Sequence, residues 1–231
     1  MFGEKLQQVA TGIWCLESYF LALGCKGSLR MTVIETQGGL VLYSPVSLTP
    51  DHVRQIDSIG HVSTIIAPNL YHHMFLRDCA AIYNHASVLV PQGLISKIGT
   101  VAHAEVIDDN TVLGPPNEIE HFTFAGHEIR ETISYHVPSR TLITADLLYN
   151  YTPDQFFAEK LWFRLIGCYG KPDVAFYHRF SINDQASAAS LIRRVNSWQV
   201  SRVIMSHGRI LTDERAGDVF TTVWERIAKL N

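Results

Sequence analysis

Three short apolar segments constrain what this chain can fold into, because each is followed by side chains that bind metals. The segments and the side chains after them are Thr64–Ala67 with His72 and His73, 141–145 with Asp146, and 202–206 with His207. Short apolar runs bounded by turn signals are typical of buried strands. Strand ends on one edge of a sheet converge in space, and imidazole with carboxylate is a typical set of ligands for zinc and related ions. The sequence therefore predicts a metal site from these four side chains.

The remaining pattern alternates strands with helices. Residues 31–45 predict two strands joined at a Gly-Gly turn. Thr49, Pro50 and Gly60 are suited to the cap, the first position and the stop of a helix. Residues 129–137 alternate, with Ile133 and Tyr135 on one face of a strand. Further predicted elements are strands at 86–91 and within 99–126, and helices at 75–83, 154–167, 186–195 and 213–230.

Composition indicates a globular protein without a nucleic-acid or membrane partner. The chain has 231 residues, 47% of them apolar, with no repeat or linker, which favours a single domain over residues 1–231. A net charge of −3 gives no reason to expect nucleic acid or an anionic membrane. We also expect no membrane span and no signal peptide. The four scattered cysteines are expected to be free thiols, which favours the cytoplasm.

The order of the motifs resembles the metallo-β-lactamase superfamily of metal-dependent hydrolases. The matching stretches are "MTVIETQGGLVLYSPVSLTP", "IIAPNLYHHMFL", "SRTLITADLLYN" and "VIMSHG". They lie between residues 31 and 208, nearly the whole chain. The resemblance implies an α/β fold, the four-layer αββα sandwich, with the site at one edge between two sheets.

The first motif departs from the family's pattern Thr-His-x-His-x-Asp-His. That pattern falls on residues 67–73, where His73 keeps the last histidine and His72 replaces the aspartate. Pro68 and Leu70 replace the first two histidines, and neither can bind a metal. Later motifs are kept: Gly126-His127 matches a Gly-His pair, Asp146 matches the bridging aspartate, and His207 matches the final histidine.

These substitutions imply one metal ion rather than two. One family site would keep only His127 and a share of Asp146, whereas the other would keep His72, His73, Asp146 and His207. Zinc is the first choice, with iron or manganese as alternatives. An ion there would activate water at neutral pH, with Asp146 at the catalytic centre. His127, freed from metal binding, would move a proton or hold the substrate.

Each residue also has a simpler interpretation. His72 and His73 could begin a helix, Asp146 could cap one, and His207 could pack on the closing helix. For His127, an ordinary buried and hydrogen-bonded histidine is the stronger interpretation. The aromatic residues Phe156, Phe157, Trp162 and Tyr169 predict either a wall of the substrate cleft or plain core and subunit interface.

Two functions follow from the sequence. One is a hydrolase that uses one metal on a small-molecule ester, lactone, thioester or phosphoester. The other is a non-catalytic protein of the same fold that binds a small molecule or a partner. The sequence does not choose the substrate, because one fold supports many, and it leaves a homodimer open.

Overall fold

Two β-sheets form the centre of the structure, a computed structural model that describes residues 5–22, 25–99, 101–152 and 157–230. The first sheet has the strand order β1 to β7, so sequence neighbours are also neighbours in space. Its strands are β1 Gln7–Ala10, β2 Ile13–Ala22, β3 Cys25–Thr36, β4 Gly39–Tyr43, β5 Val62–Ile66, β6 Ser87–Val90 and β7 Ala104–Val106. Strands β1 to β4 pair antiparallel, and β4 to β7 pair parallel.

The second sheet has the order β12-β11-β10-β9-β8. Its strands are β8 Ile119–Phe124, β9 Glu131–His136, β10 Thr141–Ile143, β11 Arg202–Ile204 and β12 Leu211–Thr212. Strands β10 and β11 are parallel, whereas the other pairs are antiparallel. Because parallel strands end at the same edge, residues that follow β10 and β11 lie close together.

The described α-helices are α1 Pro50–Asp57, α2 Leu76–Ile82, α3 Leu94–Ile98, α4 Phe157–Leu165, α5 Gln185–Ser197 and α6 Ala216–Ala228. All but α4 cover the outer faces of the sheets, whereas α4 packs through Phe163 with Tyr149 and Tyr151 in the segment after β10. Ile56, Leu76 and Leu94 pack helices α1 to α3 onto the first sheet. Leu191 and Trp224 pack α5 and α6 onto the second. The predicted four-layer αββα sandwich is confirmed.

The apolar side chains between the two sheets form a separate cluster. Its members include Ile34 and Tyr43 from the first sheet and Ile143 and Ile204 from the second, each at most 1% exposed. Burial of these side chains joins the sheets, because apolar surface removed from water stabilises by roughly 25 cal/mol per Å².

Local sequence signals explain the first helix and the first hairpin. The Thr49 hydroxyl accepts from the His52 amide, and His52 Nδ1 accepts from the Thr49 amide, which forms a capping box. The helix ends at Asp57, before Gly60. The predicted β3–β4 hairpin is confirmed, with its turn at Gln37 and Gly38. Gly39, the first residue of β4, has a φ of 116°, where glycine is favoured.

Strand β9 differs from its predicted alternation, since all six of its residues are buried. Ile133 and Tyr135 face α5 and α6 in the cluster of the second sheet. The polar face is turned toward the first sheet, where the Tyr43 hydroxyl donates to the Thr132 carbonyl and His136 lies against Gly12. The alternating pattern therefore predicted correctly which residues share a face of β9. Both faces are buried, however, because the first sheet covers the polar one.

Other elements differ at their ends or were not predicted. The helix expected over 154–167 is α4, and strands β1 and β2 at the start of the chain were not predicted. No described helix is long and apolar enough to cross a lipid bilayer.

Candidate metal centre

Three of the four predicted metal ligands meet at one edge of the two sheets. His72 lies in the turn after β5, Asp146 follows β10, and His207 follows β11. His72 Nε2 is 3.2 Å from Asp146 Oδ2, and His207 Nε2 is 3.1 Å from Asp146 Oδ1. The two Nε2 atoms are 3.2 Å apart. Within the described residues, this is the one group of potential ligands whose atoms all lie within 4.8 Å of one another.

The separations fit a small divalent ion. Ligand atoms about 2.0–2.1 Å from a tetrahedral ion lie roughly 3.3 Å from one another, close to the 3.1–3.2 Å between the His and Asp ligand atoms here. The donor set of two imidazoles and one carboxylate is one that catalytic zinc uses, with a further position left for water.

Oxygen atoms hold the far nitrogen of each imidazole. His207 Nδ1 donates to the Ser28 carbonyl at 2.6 Å, and His72 Nδ1 lies 2.7 Å from the Ser44 hydroxyl. Ser44 adopts a φ of 59°, an uncommon conformation for a residue with a side chain. Hydrogen bonds of this kind orient metal-binding histidines and present the other ring nitrogen to the ion.

Asp146 is almost fully buried, with 3% of its surface exposed. Asn69 Nδ2 donates to its Oδ2 at 2.9 Å, and the Tyr149 hydroxyl donates to its Oδ1. Burial alone would raise the pKa of Asp146, but His72 and His207 hold it well below its usual value. Burial alone would lower the pKa of His72, but the Asp146 charge raises it above its usual value.

Glu131 is the principal site-supporting residue that the sequence interpretation missed. It is fully buried and accepts from Asn69 Nδ2, the Thr144 hydroxyl, and the amides of Ala145 and Asp146. Burial raises the pKa of Glu131, and the Asp146 charge raises it further. A carboxylate on the apolar Ile133–Tyr135 face of a strand was the signal that could have identified it.

Asn69 was also missed, although it connects the two halves of the site. Besides its bonds to Glu131 and Asp146, its Oδ1 accepts from the amides of Tyr71 and His72 at 2.9 and 3.0 Å. The side chain is fully buried. Asn69 therefore holds the turn that contains His72 in place beside the Asp146 carboxylate.

Arg30 holds the segment around His207 from the first sheet. Its Nη2 donates to the Gly208 carbonyl at 2.6 Å, its Nη1 donates to the Met205 carbonyl, and Nη2 also pairs with Glu17 at 2.6 Å. Only 3% of Arg30 is exposed. These bonds anchor the chain on both sides of His207.

His73 is outside the group that His72, Asp146 and His207 form. Its amide donates to the Tyr71 carbonyl at 2.9 Å, and its own carbonyl accepts from the Leu76 amide at 3.1 Å. Burial and the Lys97 charge lower the pKa of His73. The structure thus brings together three of the four predicted ligands and gives His73 the backbone contacts of a turn before α2.

His127 has the contacts of a structural histidine. It is fully buried, its Nε2 donates to the His178 carbonyl at 2.8 Å, and its Nδ1 accepts from the Ile129 amide at 3.3 Å. Its ring packs on Phe124 and Trp224, and burial lowers its pKa to about 4. This geometry favours the structural interpretation, which was also the stronger one from the sequence, over a role in proton transfer.

A cavity of about 600 Å³ opens beside the three candidate ligands. His72, Asp146 and His207 form one wall, and Trp162 also lines the cavity, which favours the cleft-wall alternative for this residue. Tyr169 packs with a neighbouring cluster that contains Tyr151 and Phe163. Phe156 and the Phe157 side chain lie outside the described residues.

The model of the domain of unknown function DUF4336 matches residues 10–155. The chain belongs to this DUF4336 family. The matched segment contains His72 and Asp146 and ends before His207. No curated protein matches the sequence.

Solved structures confirm the resemblance at the level of the fold. The DIM-1 metallo-β-lactamase exposed to ceftazidime superposes with a TM-score of 0.65 at 17% identity, covering 96% of each chain. A metallo-β-lactamase from Pontibacter korlensis gives 0.63 at 13%, covering 96% of this chain and 98% of the other. The flavodiiron protein from Giardia intestinalis gives 0.68 at 13%, covering 97% of this chain and 59% of the other. The DUF4336 chain therefore has the metallo-β-lactamase fold.

Proposed function

We propose that this DUF4336 protein is a metal-dependent hydrolase that holds one divalent ion with His72, Asp146 and His207. The observation that carries the proposal is the convergence of two Nε2 atoms and one carboxylate at 3.1–3.2 Å. Zinc is the ion we favour, because nitrogen-rich sites with one carboxylate suit it, and iron or manganese are the alternatives.

The ligands' surroundings support a binding site rather than a chance cluster. Each imidazole has its Nδ1 against an oxygen, and Asp146 receives bonds from Asn69 and Tyr149. Such outer contacts are characteristic of ligands that are held ready for a metal. The adjacent cavity of about 600 Å³ has the size of a small-molecule site.

One ion is favoured over two. Pro68 and Leu70, which stand where the family has two histidines, cannot bind a metal. Asn69 between them is fully buried and bonds to Glu131 and Asp146. His127, the remaining candidate for a second site, has hydrogen bonds at both ring nitrogens. Three protein ligands and an open position are sufficient for a catalytic zinc ion.

When bound, a divalent ion supplies Lewis acidity and makes a water molecule reactive near neutral pH. The chain's own residues orient the side chains that would hold this ion. The Tyr149 hydroxyl donates to Asp146, and the Tyr149 ring stacks on the His207 ring with centroids 4.9 Å apart. Because the pKa of Asp146 is lowered, despite burial, by the neighbouring histidines, Asp146 stays ionised and is suited to bind a cation rather than donate a proton.

The adjacent histidines provide a matched test of the ligand set. We expect His72→Ala and His207→Ala to lose stoichiometric metal, and His73→Ala to keep it. Metal content is measured by elemental analysis of protein purified with zinc, and zinc affinity by competition with a chromophoric chelator. Loss of metal from His73→Ala as well would restore the four-ligand set expected from the sequence, and full metal in all three variants would refute the site.

Catalysis is tested on the same samples. Zinc-loaded protein should hydrolyse at least one member of a panel of esters, lactones, thioesters and phosphoesters, and His207→Ala should not. One equivalent of zinc without turnover on any member would keep the metal site and favour the non-catalytic, ligand-binding alternative.

A further inference from the structure

The cavity beside the metal centre is built mostly from apolar and aromatic side chains. Its aromatic members are Tyr71, Phe75, Tyr149, Tyr151, Trp162, Phe163 and Tyr177. Leu29, Met74 and Ile166 complete much of the remaining wall. Ring edges and faces of this kind prefer to contact other rings or alkyl groups. The cavity walls away from His72, Asp146 and His207 therefore suit apolar groups of a bound small molecule.

Apart from the histidines, the charged side chains in the described cavity wall are acidic. Among the lining residues that the structure describes, Glu128 and Asp146 are carboxylates, and none is lysine or arginine. Glu128 is exposed at the cavity surface. An anionic group on a ligand would thus meet a like charge at Glu128 and would find no cation in the described wall away from the metal.

Basic side chains near the site have other contacts. Lys97 Nζ donates to the Leu70 carbonyl and lies 5.2 Å from the centre of the Tyr71 ring. Arg179 pairs with Asp173 at 3.2 Å. Arg30 is buried against Glu17 and the backbone beside His207. A remote anionic group that entered the cavity would lose water without gaining an ion pair, which is unfavourable.

We propose that the cavity selects uncharged, largely apolar ligands, and that the substrates are uncharged carboxylic esters with aryl or alkyl groups. The ester part rests on the proposed hydrolase function; the selection against anions rests on the cavity alone. In the reaction, water adds its oxygen to the acyl carbon, and the bond from that carbon to the alkoxy oxygen breaks. One proton of the water goes to the leaving alkoxide, so the products are a carboxylic acid and an alcohol.

A pair of amides separates binding from hydrolysis. N-phenylhexanamide is uncharged, and 6-anilino-6-oxohexanoate has the same anilide and chain length with a terminal carboxylate. We expect metal-free protein, prepared with a chelator, to bind the uncharged amide at least ten times more tightly by calorimetry, which is about 1.4 kcal/mol. Equal affinity, tighter binding of the anion, or binding of neither would overturn the proposal.

Two variants test whether the cavity's charge sets the preference. Glu128→Gln should reduce the ratio of the affinities for the uncharged and the anionic amide several-fold. Glu105→Gln, at an exposed position of the edge strand β7, should leave that ratio unchanged. Met74→Lys places a cation in the wall at a position that is 67% exposed, so folding should tolerate it. We expect Met74→Lys to bring the affinities together or reverse them, and an unchanged ratio in both Glu128→Gln and Met74→Lys would contradict a role for this wall.

Hydrolysis is measured separately on zinc-loaded protein with 4-nitrophenyl pentanoate and 4-nitrophenyl hydrogen glutarate, which differ chiefly in the terminal carboxylate. A higher kcat/KM for the uncharged ester supports the proposal, and a higher value for the anion overturns it. Selective amide binding without turnover of either ester would uphold the cavity's selection and refute the hydrolase function on which the ester assignment rests.

Discussion

Glu131 Oε2 accepts the backbone amide of Asp146 at 2.8 Å, so a buried acid holds the chain at a proposed metal ligand. The same carboxylate accepts the Ala145 amide at 2.7 Å and the Asn69 side chain at 2.8 Å. A side chain at residue 131 that donates instead of accepting would face donors it cannot satisfy, and buried unsatisfied groups are costly.

We therefore predict that Glu131→Gln lowers the free energy of unfolding by about 2–4 kcal/mol and weakens zinc binding roughly 10–100-fold. Urea denaturation and chelator competition measure the two effects. Glu105→Gln, exposed on β7, is the control and should change neither. Normal zinc affinity in a folded Glu131→Gln protein would show that Asp146 is positioned without Glu131.

A second prediction concerns Arg30, which holds the chain on both sides of His207 by hydrogen bonds to the Met205 and Gly208 carbonyls. Arg30→Met should weaken zinc binding about 10–100-fold, as for other residues that orient a metal ligand. It should also destabilise the fold, because Glu17 loses its partner. Arg54→Met removes an exposed pair with Asp51 and should leave both zinc affinity and the free energy of unfolding nearly unchanged. Equal effects of the two substitutions would remove the special role of Arg30.

His127 predicts a pH dependence of stability. Burial lowers its pKa to about 4, below the value near 6.5 of an unfolded chain. Between these values the unfolded chain binds the proton and the folded protein does not, so stability is lost as the pH falls from about 6.5 toward 4. The full effect is roughly 3 kcal/mol.

His127→Gln keeps a hydrogen-bond donor but removes the titrating group. We expect it to be less stable than the natural protein at pH 7 and to lose less stability between pH 7 and pH 4.5, as measured by urea denaturation. The difference between the two proteins isolates this residue from other titrating groups. Parallel pH profiles would mean that His127 does not titrate differently in the folded state.

The buried cysteines predict low thiol reactivity. Burial raises the pKa of Cys15 to about 11 and the pKa of Cys79 and Cys168 to about 12. In a Cys25→Ser variant, we expect none of these three thiols to react with Ellman's reagent within minutes at pH 8, and all three to react in denaturant. Rapid reaction of the folded variant would place at least one thiol at an accessible surface.

Short-range sequence patterns were sufficient to place three of the candidate ligands after buried strands, whereas the layers followed from the resemblance of the motifs to a known fold. Apolar runs identified β5, β10 and β11, and His72, Asp146 and His207 follow them. The neighbours His72 and His73 could not be separated, since the turn that directs them is fixed by the Asn69 side chain rather than by periodicity.

The partners of the supporting residues were not predictable for a related reason. Arg30 and Gly208, like Asn69 and Glu131, are far apart in the chain and meet only after the sheets have packed. The polar face of β9 was likewise predicted as a face but not as buried, because its cover comes from the other sheet. Pairings across the two sheets have no local signature.

The strand order has a consequence for the path of folding. Strands β1 to β7 pair with their neighbours in sequence, so the first sheet can form through short loop closures, which are fast. Strand β11 pairs with β10 only after the whole segment between Ile143 and Arg202 has been closed into a loop. We therefore expect His207 to join His72 and Asp146 late in folding, when β11 docks. On that order of events, we expect an ion bound by all three side chains to slow the release of β11 rather than to accelerate folding.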